Sequence, residues 1–319
     1  MKKSMSMIAL AVLAATAQAG ELSAGKDTKF ELNVELGAYH LSKKDSSGVA
    51  GKDFLGKGMN QVEIKASHKL NSDVTVFGEI EVDYDPIVDN NTVKTDDVKL
   101  GFAHKDLGTF MVGQFDSFYE DNVVEALGIG HGDTGGFMTE PASSNDGKHV
   151  QYLKKVGNLT LAIDGTFSKS GTNTDTGMAI AAMYKLSDQL SLTAGYSDIA
   201  KYKTDDSTTG DNADKKSLGV AMVYKFGDSK LTGMHAQTTS TSDVKTKYTG
   251  VAFTHKMGAF DVGVSAQKVK AGTAASRNEF GLGFGYEVYK NMTAYLDISR
   301  LDKTNKKDDA VEVGVKYAF

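Results

Sequence analysis

One pattern runs through almost the whole chain. Short segments alternate aliphatic and polar residues, and the connections between them are alternately short and long. Phe30, Leu32, Val34, Leu36 and Ala38 alternate with Glu31, Asn33, Glu35, Gly37 and Tyr39. Val62, Ile64 and Ala66 alternate with Gln61, Glu63, Lys65 and Ser67, and Val74, Val76, Gly78, Ile80 and Val82 with Thr75, Phe77, Glu79, Glu81 and Asp83. A period of two places each set on its own face of a β-strand. Sixteen such segments can be read, the last ending at Phe319. Short turns fall near 70–73, 106–108, 156–158, 187–189, 227–229, 256–259 and 289–291. Longer polar connections fall near 42–58, 85–95, 113–147, 169–175, 201–215, 240–245, 270–277 and 302–309.

That layout, with an even strand number, is expected of an all-β transmembrane barrel of antiparallel strands. One face of each strand is aliphatic and the other polar, as a barrel in lipid requires. Sixteen strands enclose a tube too wide for side chains to fill, which leaves an aqueous channel. The terminal strand 310–319 must then pair with the first, because a closed barrel has no edge. The alternative, a soluble exported β-sheet protein, has no need for every second connection to be short.

The start of the chain supports export. Met1-Lys2-Lys3 is basic, Met7 to Ala15 is apolar, and Ala17-Gln18-Ala19 has the small-x-small form of a cleavage site. Residues 1–19 therefore read as a signal peptide and 20–319 as the mature barrel. Losing Lys2 and Lys3 takes the formal charge from −5 to −7. An acidic chain without a basic block is not expected to bind nucleic acid. Cysteine is absent, which excludes disulfides and thiolate metal sites. Two prolines against 34 glycines suit a strand-rich chain.

The stretch 113–147 breaks the rhythm. Its length marks it as functional or disordered, and Phe115, Phe118, Tyr119, Val123, Val124, Leu127, Ile129 and Phe137 argue for a folded segment. Within a wide tube it is the candidate for what fills the interior.

No catalytic constellation is legible. The seven histidines form no HExxH, no Gly-x-Ser-x-Gly occurs, and His131 beside Asp133 lacks an assignable nucleophile. Gly281-Leu-Gly-Phe-Gly285 lies within a strand and reads as small residues on one face, not a phosphate loop. No enzyme activity, cofactor or resident metal is expected.

Lys65-Ala-Ser-His-Lys-Leu-Asn-Ser-Asp-Val-Thr-Val-Phe-Gly78, Lys99-Leu-Gly-Phe-Ala103 with Leu107-Gly-Thr-Phe110, Lys290-Asn-Met-Thr-Ala-Tyr-Leu-Asp297 and the terminal Phe319 together carry a resemblance to the general diffusion porins of the Gram-negative outer membrane. It implies a homotrimer of sixteen-stranded barrels in outer-membrane lipid and lipopolysaccharide. It also implies that 113–147 is an inward-folded third extracellular loop constricting the pore, and that barrel-insertion machinery reads Phe319. Where the family commonly carries wall arginines, this chain has Lys99, Gln61 and Gln114, and Lys65 matches a wall lysine. Arg277 and Arg300 are its only arginines.

The expected function is passive diffusion of small hydrophilic solutes and ions. The lining candidates are Gln61, Glu63, Lys65, Glu79, Glu81, Asp83, Lys99 and Gln114 on the wall, with Glu120, Asp121, Glu125, Asp133 and Glu140 on the loop. Acids outnumber bases among them, so a weak cation preference is expected. A substrate-selective porin and an adhesive surface barrel are the alternatives. The first should show an aromatic track, and the second gives the long insertion no role.

Overall fold

The computed structural model describes residues 22–23, 26–44, 50–54, 60–85, 92–131, 140–141, 148–170, 173–199, 215–240, 242–301 and 309–319. The expected signal peptide lies outside the described residues.

Sixteen long strands form the wall. They are β1 Thr28–Lys44, β2 Gln61–Lys69, β3 Val74–Asp85, β4 Thr92–His104, β5 Gly108–Gln114, β6 Lys148–Val156, β7 Leu159–Ser170 and β8 Asn173–Lys185. Then follow β9 Leu190–Ile199, β10 Lys215–Phe226, β11 Ser229–Thr239, β12 Lys245–Met257, β13 Phe260–Ala271, β14 Arg277–Tyr289, β15 Met292–Leu301 and β16 Ala310–Ala318. Each pairs antiparallel with the next, and β16 pairs with β1 at Gly314↔Tyr39 and Val315↔Ala38. The ring is closed, so among the described residues none of the sixteen wall strands is an edge strand. Phe319 exchanges two backbone hydrogen bonds with Val34, of 2.7 and 2.9 Å, and seals the junction. Two short pieces, Leu22–Ser23 and Ala50–Phe54, also pair with β1.

The short turns fall where the sequence places them, with glycine at positive φ in Gly157, Gly227 and Gly258. Three long connections are shorter than expected. In 42–58, β1 continues to Lys44 and Ala50–Phe54 folds back on it. The 85–95 and 169–175 connections shrink because strands run to Asp85 and Ser170 and resume at Thr92 and Asn173. Aliphatic alternation stops where a strand leaves the apolar belt. Backbone pairing does not need it and runs further.

The aliphatic face is open. Leu100 is 63% exposed and Val220 50%, and Ile64, Ile163, Leu218, Val251, Val264, Leu282 and Val313 are also exposed. Near the short-turn end the belt is bordered by aromatics: Tyr224 stacks on Phe226, Phe260 on Tyr286, and Tyr317 lies 5.2 Å from Phe319. A ring of aliphatic side chains bordered by aromatics is the outer surface of a membrane barrel.

The opposite face is not uniformly charged, contrary to the simplest reading of the alternation. Charge gathers on β1–β4 and on β14–β16. From β8 to β13 that face carries small residues, including Ala179, Ala181, Gly195, Gly219, Ala221, Ala236, Gly250 and Gly263. The larger buried apolar cluster among the described residues lies here, between this small-residue wall and the segment after β5.

Candidate functional site

Two groups of residues meet on the polar face. The first is a charged ladder on β1–β4. Residues two apart share a face, so Gln61, Glu63 and Lys65 line up on β2, and Glu79, Glu81 and Asp83 on β3. The register sets Lys65 opposite Glu79, Glu63 opposite Glu81 and Gln61 opposite Asp83, and Glu79 also faces Lys99 on β4. Lys65 Nζ lies 2.6 Å from Glu63 and 3.9 Å from Glu79. Lys99 Nζ lies 3.0 Å from Glu79 and 2.6 Å from Asp97. The two lysines thread a surplus of carboxylates. One oxygen from each of Glu63, Glu79 and Glu81 lies within 4.8 Å of the others, as it does for Glu81, Asp83 and Asp96.

Asp96 and Asp97 were not legible as members of this group. Neighbours on a regular strand point to opposite faces, but the β3–β4 register slips between Ile80 and Val82. Ile80 faces Val98 and Val82 faces Thr95, so both aspartates sit against the single residue Glu81. Gln114 holds this bulge, its amide donating to the carbonyls of Thr95 and Asp96 at 3.4 and 3.2 Å.

The second group is the segment that leaves β5. Phe115 is buried against the ring of His149, 5.2 Å away, with Lys99 Nζ 5.9 Å from its own ring centre. Ser117 Oγ accepts from the Glu120 amide, opening a single π-helical turn over Glu120–Val124. From there the chain crosses the small-residue wall. A methyl at Gly219 would lie 2.7 Å from Val123 Cγ1 and 2.9 Å from the Tyr119 hydroxyl. One at Gly263 would lie 2.8 Å from Ile129 Cβ, and one at Gly285 2.6 Å from His131 Nε2. Leu127 overlies Gly250 in the same way. These glycines leave the volume that Tyr119, Val123, Leu127 and Ile129 fill, and Tyr119, Val123 and Leu127 are buried almost completely. Gly281, Gly283 and Gly285, one face of a strand as expected, abut Ile129 and His131.

Polar anchors mark both ends. The Tyr119 hydroxyl hydrogen-bonds Ser217 Oγ at 2.8 Å. The His131 amide donates to Asp297 at 2.8 Å, and its imidazole contacts the Asp261 carboxylate. His131 is thus engaged with the wall. Asp133, its neighbour in sequence, lies outside the described residues, as does Phe137.

The loop acids divide. Glu120 is buried in the seat, whereas Asp121, Glu125 and Glu140 are exposed. Asp121 is open to water yet closely surrounded by protein. That desolvation, with repulsion from Asp116 and Glu125, pushes its carboxyl up to about 7. Desolvation, then Glu125 and Asp116, likewise push Glu140 up to about 7. Lys99 opposes the rise at Asp121, an electrostatic link between the loop and the ladder.

The chain matches the family model described as Gram-negative porin over residues 6–306. No curated protein sequence matches it. Among solved structures it is similar to OmpF of Salmonella typhi in complex with daunomycin, at 19% identity and a TM-score of 0.69, covering 94% of this chain and 100% of that one. A loop L8 deletion mutant of OmpT, an outer membrane protein of Vibrio cholerae, gives 16% identity, a TM-score of 0.69 and coverage of 92% and 100%. The anion-selective porin from Comamonas acidovorans gives 14%, 0.68 and coverage of 92% and 100%. At these identities the likeness establishes the barrel fold.

Proposed function

The chain belongs to the Gram-negative porin family, and from that membership we propose that this outer-membrane channel admits small hydrophilic solutes and ions by passive diffusion, with a weak preference for cations. Family and fold point to a channel rather than an enzyme. The observation that carries the proposal is the seating of Tyr119, Val123, Leu127 and Ile129 on the glycine and alanine face of β9–β14. With the aliphatic face turned to lipid, that seat is interior, and the loop 113–147 narrows the lumen. Asp121, Glu125 and Glu140 then confront the ladder of Glu63, Glu79, Glu81, Asp83, Lys65 and Lys99 across the water path. Gln61 and Gln114 complete the lining, Gln114 by fixing the bulge that turns Asp96 and Asp97 inward.

The cation preference follows from the charge count. Each of the two lysines of the ladder is engaged by two carboxylates, so neither offers a free positive surface to an anion. A potassium chloride gradient across a bilayer holding the protein tests this. A reversal potential of cation-selective sign is expected, and one of anion-selective sign contradicts it.

The working assembly is a homotrimer. A similar structure, OmpT of Vibrio cholerae folded in vitro, is described as a trimer form. Residues 1–19 direct export, the insertion machinery reads Phe319, and lipopolysaccharide surrounds the outer rim.

A further inference from the structure

The short-turn end of the barrel carries a recurring residue. Where a strand runs into or out of a turn, one amide donates to a carbonyl of the neighbouring turn. Lys69 makes this bond to Asp27, Lys105 to Asp73, Lys185 to Asn158, Lys225 to Gln189 and Lys256 to Asp228, each at 2.8 or 3.0 Å. Glu287 and Ala318 make it to Ala259 and Asn291. These residues therefore stand at one height around the rim, and lysine recurs among them.

The lysines of one arc lie on the inner face. Lys185, Lys225 and Lys256 each follow by four residues a buried alanine of that face, Ala181, Ala221 and Ala252. Lys230 precedes the buried Thr232 by two, and Lys155 follows the buried Gln151 by four. The register sets Lys225 directly opposite Lys230. Side chains so placed start from Cβ atoms about 5 Å apart, and like charges there are destabilising. Among the described residues none of the five forms an ion pair. Asp188 and Asp228 lie in the turns between them and pair with none of them, and Asp261, opposite Lys256, is engaged by His131. Elsewhere at this height the charge is met: Lys105 Nζ lies 2.6 Å from Asp73.

We infer that this arc, Lys155, Lys185, Lys225, Lys230 and Lys256, binds a linear chain of phosphates at the periplasmic mouth, and that the bound chain blocks the pore from that side. Successive hairpins lie about 10 Å apart along the rim, two strand spacings. A single phosphate therefore reaches only Lys225 and Lys230, whereas a chain reaches several hairpins. Lysine holds phosphate as a point charge, and an anion between Lys225 and Lys230 converts a repulsive pair into two charge-assisted contacts. An acidic peptide fits less well. Arg277 and Arg300 stand at the long-loop ends of β14 and β15, so no arginine on this rim grips carboxylates in pairs. The wall strands, each paired on both sides, offer a peptide no edge. The chain of phosphates also cannot pass on. Glu63 lies six residues up β2 from Lys69, roughly 20 Å along the strand. The acid ladder thus repels, deeper in, the anion that the mouth attracts. The inference rests on the channel reading and adds to it a blocker with a fixed side.

The test uses the full-length barrel, with sodium tripolyphosphate as the probe. Calorimetry measures binding to the folded protein in detergent, and current through single inserted channels in a planar bilayer measures block. Tripolyphosphate should bind more tightly than orthophosphate or hexaglutamate at equal ionic strength. K225Q/K230Q and, separately, K185Q/K256Q should each weaken it about tenfold, at roughly threefold per lysine. K105Q, whose lysine is already paired, should stay within about twofold of the wild type. Each inserted channel should be blocked from one face only. Equal binding by the wild type and both double variants overturns the inference. So does equal or tighter binding of hexaglutamate or orthophosphate, and so does equal block from both faces. A wild type without conductance steps defeats the channel reading, while the calorimetry still tests the lysine arc. Normal steps with no binding of tripolyphosphate defeat the inference alone.

Discussion

The hydroxyl of Tyr119 lies 2.8 Å from Ser217 Oγ, joining two residues 98 apart in the chain. Tyr119 belongs to the long insertion and Ser217 to the wall, so this one bond ties the loop to β10. Desolvation pushes the Tyr119 phenol up to about 12, which keeps it a neutral hydrogen-bond partner across the physiological range. Tyr119→Phe should leave the ring in its seat and cost about 1 kcal/mol, one buried hydrogen bond. More frequent brief openings in single-channel records, at unchanged main conductance, are the expected readout.

Gly219 makes a stronger demand. Its missing side chain is the space Val123 and the Tyr119 hydroxyl occupy. Gly219→Leu should expel the loop, since overpacking of this kind costs about 1–3 kcal/mol and a flexible loop yields before a sixteen-stranded ladder does. Larger conductance with an unchanged far-ultraviolet dichroism spectrum is expected. Gly233→Leu, on the outward face with open space, should leave conductance alone.

Lys99 is held by Glu79 and Asp97 and lies above Phe115. Lys99→Gln removes a positive charge where the ladder meets the loop. The cation-to-anion permeability ratio should rise two- to fivefold, about 0.5–1 kcal/mol for one charge in a water-filled path. Reversal potentials in a salt gradient measure it.

Asp121 and Glu140 ionise near pH 7 rather than in the ordinary carboxylate range. Both are neutral at pH 5 and charged at pH 8, so cation preference should grow as pH rises through about 7. The stability effect has the opposite sign. A carboxyl whose pKa is raised by folding binds its proton more tightly in the folded state. The loop's seating is therefore firmest in acid and weakens as pH rises from about 4 to about 7. Reversal potentials at pH 5 and pH 8 should differ in wild type, and the difference should shrink in D121N/E140Q.

Much of this architecture was legible in the sequence. Period-two alternation located the wall strands, and short turns such as 157–158 and 227–228 fell where Gly-Asn and Gly-Asp occur. The apolar residues of 113–147 marked a packed segment. Three features escaped. The slip between Ile80 and Val82 turns Asp96 and Asp97 toward Glu81, and a bulge leaves no trace in a strict alternation. The seat itself is written in glycines and alanines on five or more strands, far apart in the chain. Each reads as a weak strand residue until the ring closes, setting Gly195 opposite Gly219 and Gly263 opposite Gly283 and bringing all of them, with Gly250, under one segment. The extent of β1, β3 and β7 was also missed, because backbone pairing continues beyond the belt that makes alternation visible.

The central claim is that residues 113–147 narrow a water-filled pore. Single-channel conductance in a planar bilayer tests it most directly, comparing the intact protein with a variant lacking residues 120–140. The intact protein should open in three equal ohmic steps, and the deletion should retain the three steps at a clearly larger conductance. Absence of steps in the intact protein, or an unchanged step size after the deletion, would contradict the account.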